Sequence, residues 1–238
     1  MDGRILITIP AYNEAGRVGA VVRDVHSVLP EADVLVIDDG SKDTTAAEAH
    51  EAGAAVLSLP VNSGYGAALQ TGYKYAVRHG YPVLGQIDAD GQHQAEYLTK
   101  MLAQLEDPEI DVVIGSRFLD KDGHYRAPAA RRAGIALFSR IATLVTRQHV
   151  SDPTSGFQVM RGSVARFFCT DVYPVDYPDV DILILLHRSG FRVCEVPVQM
   201  RPSTNVSMHS GHKSLYYIYK MFLSILVTLL RPKAREVR

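Results

Sequence analysis

Five short apolar runs constrain what this chain can fold into more than any other feature. Each gives way to a polar cluster, and most then run into a segment of helical spacing. Residues 5–9 read as a buried strand. Val18, Val21, Val22, Val25, Val28 and Leu29 then recur at the three-to-four-residue period of a helix face. The same alternation predicts strands over 34–37, 55–59, 83–87 and 112–114, with helices over 44–52, 66–77 and 96–105. Strands alternating with helices form βαβ units, hence an α/β fold with a mostly parallel sheet flanked by helices. Ligands of such sheets bind beyond the carboxyl ends of the strands. The polar clusters occupy those ends: Tyr12-Asn13-Glu14, Asp38-Asp39-Gly40-Ser41, Asn62, Asp88-Ala89-Asp90 and Gly115-Ser116-Arg117. Their convergence on one edge predicts a site there.

The second half is less regular. Spacing predicts a helix over 132–146, a turn-rich loop over 151–156, a helix over 181–188 and a strand over 192–198. No repeat, low-complexity tract or linker divides the 238 residues, a length that suits one large α/β domain. Residues 1–212 are therefore expected to form the main domain and 213–238 a C-terminal helix with a basic tail.

The net charge of −1 hides an asymmetry. From Arg201 onward there are seven Lys or Arg and one acid, Glu236, which points to an anionic partner such as a phosphate or a membrane surface. Residues 215–230 are apolar nearly all round, interrupted by Lys220, and fall short of the roughly 20 residues a spanning helix needs. They read as a helix lying in the membrane interface or against a partner, with tyrosines and basic residues at headgroup depth. Only five apolar-rich residues precede Pro10, too few for a secretory signal. Cys169 and Cys194 stand alone, so neither a disulfide framework nor a structural zinc site is expected. The expected location is cytoplasmic, peripheral on the inner face of the cell membrane.

Asp88-Ala89-Asp90 closes an apolar strand with two acids. Residues i and i+2 of an extended strand share a face, so both carboxylates can address one hard cation, Mg2+ or Mn2+. Ala89 leaves room for a ligand, and Gln92 and His93 follow closely enough to complete the shell. Asp39 is placed to bind a ribose hydroxyl or a base N–H. Asn62 is placed to fix the Gly64-Tyr65-Gly66 turn by side-chain hydrogen bonds. Arg117, Arg131, Arg132, Arg201 and Lys213 supply cations suited to a pyrophosphate or a phosphate acceptor. No GxSxG is present and neither cysteine has motif context, so nucleophilic catalysis finds little support.

Taken together, residues 9–14 (Ile-Pro-Ala-Tyr-Asn-Glu), 38–45, 62–68, 88–93, Gly115-Ser116-Arg117 and Ser155-Gly156-Phe157 resemble the family 2 glycosyltransferases of GT-A (Rossmann-like) fold. Residues 173–179 and the Tyr-rich basic tail are most similar to the dolichol- and polyprenyl-phosphate sugar transferases. The likeness is closest to bacterial ones that load GlcNAc or glucose onto undecaprenyl phosphate. The resemblance implies a hexosyltransferase that moves a sugar, with inversion, from a nucleoside diphosphate sugar (UDP by likeness) to a polyprenyl phosphate. It implies that Pro10, Tyr12, Glu14 and Asp39 hold the nucleotide. Asp88, Asp90 and Gln92 would bind the metal and diphosphate, and Arg117, Arg131, Arg201 and Lys213 would surround the phosphates. The implied partners are the sugar nucleotide, the lipid phosphate, a membrane surface and a possible small membrane protein, with no nucleic acid. Pro202-Ser203-Thr204-Asn205 departs from the glycine-rich loop of the relatives, and the hydrophobic helices that follow many of their catalytic domains are replaced by one short apolar segment.

Two rival functions follow from the same residues. A transferase for a glycan hydroxyl would need a base, for which an acid near Asp152 or at Asp179–Asp181 is the candidate. A non-catalytic nucleotide-sugar or lipid-binding subunit would not need the full acidic cluster this chain retains.

Overall fold

Alternate residues of the inner strands bury on opposite faces of one sheet, and both faces are covered by helices. The computed structural model describes residues 4–119, 129–174, 178–201 and 212–231, with the side chains of 129–131 and 212–218 excepted. β1 (Ile5–Ala11) lies between β2 (Asp33–Asp38) and β4 (Val83–Gln86), parallel to both, and β3 (Ala55–Ser58) extends the sheet beyond β2. On the other side β4 pairs with β6 (Gln158–Arg161), β6 with β5 (Val112–Ser116) and β5 with β7 (Val193–Pro197). The seven strands run in the order β3-β2-β1-β4-β6-β5-β7, and only β6 is antiparallel to its neighbours. The helices are α1 (Val18–Val28), α2 (Thr45–Glu51), α3 (Tyr65–Arg78), α4 (Tyr97–Gln104), α5 (Ala129–Thr146), α6 (Gly162–Phe168), α7 (Val180–Arg188) and α8 (His212–Leu230).

On one face Ile7, Ile9, Val34, Val36, Val113 and Val159 pack against Val18, Val22 and Val25 of α1 and Leu98 and Met101 of α4. On the other, Leu6, Leu35, Ile37, Leu84, Ile114 and Met160 pack against α3, α6 and α7 through residues such as Leu69, Phe168 and Leu186. Each such side chain contributes about 1.5–3 kcal/mol by leaving water. Coverage of both faces is why the strands read as unbroken apolar runs rather than as polar–apolar alternation.

The mostly parallel α/β sheet is the one expected, with one addition. β6 and α6 were not anticipated, because the four-residue strand Gln158-Val159-Met160-Arg161 holds only two apolar residues. Its direction matters for function. Being antiparallel, β6 begins at the edge where β4 and β5 end, so the Ser155-Gly156-Phe157 turn joins the polar clusters there.

A third, smaller core joins Phe138 and Ala142 of α5, Val180 and Ile184 of α7, and Met221 and Ile225 of α8. A polar fastener accompanies it. The fully buried Asp181 carboxylate accepts the Ser224 hydroxyl of α8 and the backbone N–H groups of Asp179 (3.0 Å) and Ile182 (2.9 Å). Burial pushes the Asp181 pKa up, and these hydrogen bonds oppose the rise. Among the described residues no helix is long and apolar enough to cross a membrane.

Candidate active site

The loops leaving β1, β2 and β3 are sewn together by their own polar groups. Asn13 adopts φ +54°, in the left-handed region that short polar side chains tolerate. Its amide accepts the Lys42 N–H at 3.0 Å, and its own N–H donates to Ser41 Oγ at 2.9 Å. Gly40 takes φ +71°, and a Cβ there would lie 2.7 Å from the Val61 carbonyl carbon, so only glycine lets the two loops meet. Asp39 is 3% exposed, and its two carboxylate oxygens accept the N–H groups of Ser63 (2.7 Å) and Gly64 (2.9 Å). The Gly64 turn is therefore held by Asp39 and not by Asn62, which is exposed. Pro10 is buried in β1 opposite Ile37, while Tyr12, just beyond, is 43% exposed at the mouth of the site.

Asp88 and Asp90 follow β4, and strand-like alternation turns both outward and Ala89 inward. Ala89 is 2% exposed and packs in the core with Ile87, which corrects the expectation that it faces a ligand. Asp88 Oδ1 accepts the Tyr65 hydroxyl at 2.9 Å, and Oδ2 lies 3.6 Å from His93 Nε2. His93 is buried, with its ring 4.8 Å from that of Phe157, and its backbone bridges to Met200. Burial alone would raise the Asp88 pKa; contacts with His93 and Tyr65 and the nearby Arg117 cation outweigh it and hold the carboxyl below its ordinary value. Asp90 goes the other way, raised by burial and by the Asp88 charge. Gln92 anchors Asp90, donating its backbone N–H to Oδ1 at 2.9 Å and its amide N–H to Oδ2. Oriented so, it turns a nitrogen toward the carboxylate, and the metal-ligand role expected of it becomes one of positioning Asp90.

Glu14 completes a group of three acids. It pairs with Arg17 Nε at 2.6 Å, and its pKa is raised by burial, lowered by Arg17 and raised again by Asp90 and Asp88. Among the described residues no three His, Cys, Asp or Glu side chains converge to cage an ion alone. A small hard cation need not be caged, since one or two carboxylates plus substrate phosphates satisfy it. Asp88 and Asp90 push up the Glu14 pKa and Asp88 pushes up that of Asp90, a repulsion that marks a place able to accept positive charge.

The floor of the site is Gly156. Gln86, buried at the end of β4, donates to the Gly156 carbonyl at 2.8 Å and accepts the Tyr73 hydroxyl at 2.8 Å. A Cβ on Gly156 would stand 2.6 Å from the Tyr65 hydroxyl and 3.1 Å from both Asp88 oxygens. Gly156→Ala should therefore leave urea unfolding nearly unchanged while displacing Asp88, and lower turnover about a hundredfold, the cost of a small misplacement of a reacting geometry. Unchanged turnover would remove Gly156 from the site.

The arginines are redistributed. Arg117, 6% exposed, forms a fork with the fully buried Asp152 (Nε to Oδ2 2.6 Å, a second nitrogen to Oδ1 2.7 Å) and donates to Thr154 Oγ1 at 2.7 Å. Glu195 of β7 accepts the Ser151 and Asp152 backbone N–H groups, the latter at 2.8 Å, and so fixes the Asp152 turn. The phosphate-binding, catalytic role expected of Arg117 is corrected: its guanidinium is spent on tying the end of β5 to the 151–156 loop. Arg201 donates its backbone N–H to the Gln92 carbonyl at 2.8 Å, but its guanidinium reaches Asp24 of α1 at 3.0 Å. Arg131 opens α5 and Lys213 opens α8, and the side chains of both, like the 202–205 loop, lie outside the described residues. Tyr65 and Gly156 were missed as functional residues, because nothing local in the sequence announces a contact across 23 or more positions.

The carboxyl edge of the sheet thus gathers paired acids beside a backbone-lined loop, and comparisons with known proteins show the family. Residues 6–168 match the model of glycosyl transferase family 2. The chain is 32% identical over 229 residues to polyprenol monophosphomannose synthase of Mycolicibacterium smegmatis, covering 92% of this chain and 85% of that one. It is 31% identical over 202 residues to undecaprenyl-phosphate mannosyltransferase of Micrococcus luteus, covering 82% of each. Among solved structures it is similar to glucosyl-3-phosphoglycerate synthase of Mycobacterium tuberculosis in complex with Mn2+, UDP and phosphoglyceric acid. That likeness has a TM-score of 0.70 at 17% identity and covers 98% of this chain and 81% of that one. The chain belongs to glycosyl transferase family 2, and it is a glycosyltransferase of GT-A fold.

Proposed function

We propose that this glycosyltransferase moves a sugar, with inversion, from a nucleoside diphosphate sugar to a polyprenyl phosphate at the inner face of the membrane. The observation that carries the acceptor is the burial of two of the acids, Asp152 and Asp181, that a hydroxyl acceptor could use as a base. Asp152 is fully buried and forked to Arg117, and Asp181 is fully buried and bonded to Ser224. Neither is exposed to meet a substrate hydroxyl, whereas a phosphate acceptor arrives already ionised and needs no base. The names of the mycobacterial and micrococcal relatives support the same acceptor class.

Asp88 and Asp90 would hold Mg2+ or Mn2+, which when bound neutralises charge on the leaving diphosphate. Tyr65 and His93 orient Asp88, Gln92 orients Asp90, and Asp39 stiffens the 63–64 turn beside them. Tyr12 and Glu14 line the nucleotide side. Arg131 and Lys213, at the openings of α5 and α8, are the cations proposed for the acceptor phosphate.

The test is radiolabel transfer into an organic phase with undecaprenyl phosphate, Mn2+ and a donor panel of UDP-GlcNAc, UDP-glucose and GDP-mannose. One donor is expected to give a lipid-linked product whose anomeric configuration is opposite to the donor's. Labelling only of a glycan hydroxyl, or retention of configuration, would overturn the proposal.

A further inference from the structure

We infer that the outer surface of α8, with the neighbouring stripe of α5, is a docking face for a lipid bilayer rich in anionic headgroups. The inference deepens the proposed lipid-phosphate reading and rests on it for the identity of the surface approached. α8 is apolar on two sides for different reasons. Its inner side is filled by the domain: Met221, Ile225 and Thr228 are each under a tenth exposed, and Ser224 is bonded to Asp181. Its outer side carries Tyr219, Phe222, Leu223, Leu226, Val227 and Leu230, all at least 41% exposed, with Leu230 at 75%. Their steps of three, one, three, one and three residues trace one continuous stripe along a helix.

α5 lies alongside, with Phe138 5.8 Å from Phe222 between ring centroids. It exposes Leu137 and Leu144, seven residues apart on one stripe, the second at 78%. Eight of the twelve exposed large apolar side chains among the described residues thus sit on these two helices, a concentration that marks an interaction face rather than scattered surface.

Charge selects the occupant. α5 and α8 together contain five Lys or Arg and no Asp or Glu, in a chain whose net charge is −1. Arg231, Lys233, Arg235 and Arg238 follow α8 against the single Glu236. A second copy of the chain would place identical cationic helices face to face. An anionic bilayer accepts the apolar stripe among its acyl chains and the flanking cations among its headgroups. Docked so, the enzyme meets an acceptor whose phosphate lies at the level of those headgroups.

The experiment uses the full chain with vesicles of phosphatidylcholine alone or mixed with phosphatidylglycerol. Co-sedimentation is expected with the mixed vesicles and should weaken as salt is raised. A Leu226→Glu/Leu230→Glu variant, with unchanged circular dichroism and thermal unfolding, should bind about a hundredfold more weakly, roughly tenfold per buried leucine lost. It should also lose transfer to polyprenyl phosphate held in vesicles while keeping transfer to a short, water-soluble isoprenyl phosphate. Undiminished sedimentation of the variant would overturn the inference. So would a wild-type dimer, seen by light scattering, that the variant splits into monomers. Vesicle binding lost on substitution, with neither protein transferring to either phosphate, would uphold the docking face and overturn the acceptor reading instead.

Discussion

Asp90→Asn is expected to lower sugar transfer by on the order of a thousandfold or more, and to leave the metal-free protein as stable as the wild type or more so. The activity loss follows from removing one of two carboxylates proposed to bring a divalent cation to the diphosphate, a contribution of several kcal/mol to the transition state. The stability side follows from the charge balance. The Asp90 pKa is raised in the folded protein by burial and by Asp88, so the folded state holds this proton more tightly than the unfolded chain does. Ionised Asp90 therefore weighs against the fold, an opposition that sets in as pH rises past the ordinary carboxylate value of 3.8. Asparagine removes that charge and keeps an oxygen to accept the Gln92 N–H. Added Mn2+ should raise the melting temperature of the wild type by mass action and leave the variant's unmoved. An equal Mn2+ shift in both proteins would show that the ion binds without Asp90.

Arg117→Ala carries the second large effect, and its sign separates two roles. The Arg117–Asp152 fork is almost wholly buried, and removing the cation strands a carboxylate with no exposure to water. Breaking such a pair costs about 3–5 kcal/mol, which for a chain of this size is a fall in Tm of about 10 °C. Arg117→Met combined with Asp152→Leu should recover much of that stability, because replacing both partners leaves no uncompensated charge. A phosphate-binding Arg117 would behave oppositely, losing activity at unchanged Tm. Differential scanning calorimetry of the three proteins decides between these outcomes.

What was legible beforehand divides along physical lines. Asp88 and Asp90 could be placed together from sequence because two-residue periodicity is local, and the same rule puts Ala89 in the core rather than at a ligand. Arg117 and Asp152 both stood out as chemistry-bearing residues, one as a phosphate ligand and the other as a base. Their pairing spans 35 positions and depends on the turn before β6 returning to the end of β5. The loop-holding contacts of Asp39 and Gln92 were not legible for a related reason. A carboxylate or an amide has the same chemistry toward a ligand as toward a backbone N–H, and only the fold brings the Ser63 and Gly64 N–H groups within reach of Asp39.

The alternation of strands and helices, the edge on which the polar loops gather and the acid pair at the end of β4 are written into the order of residues, because they rest on short-range periodicity and strand direction. Packing in three dimensions settles which polar groups are consumed in holding loops. It also decided that α8 presents a second apolar side outward after its first is buried. Both depend on partners far away in the chain, and burial fixes those partners because a buried polar group must be paired and a buried apolar one must be covered.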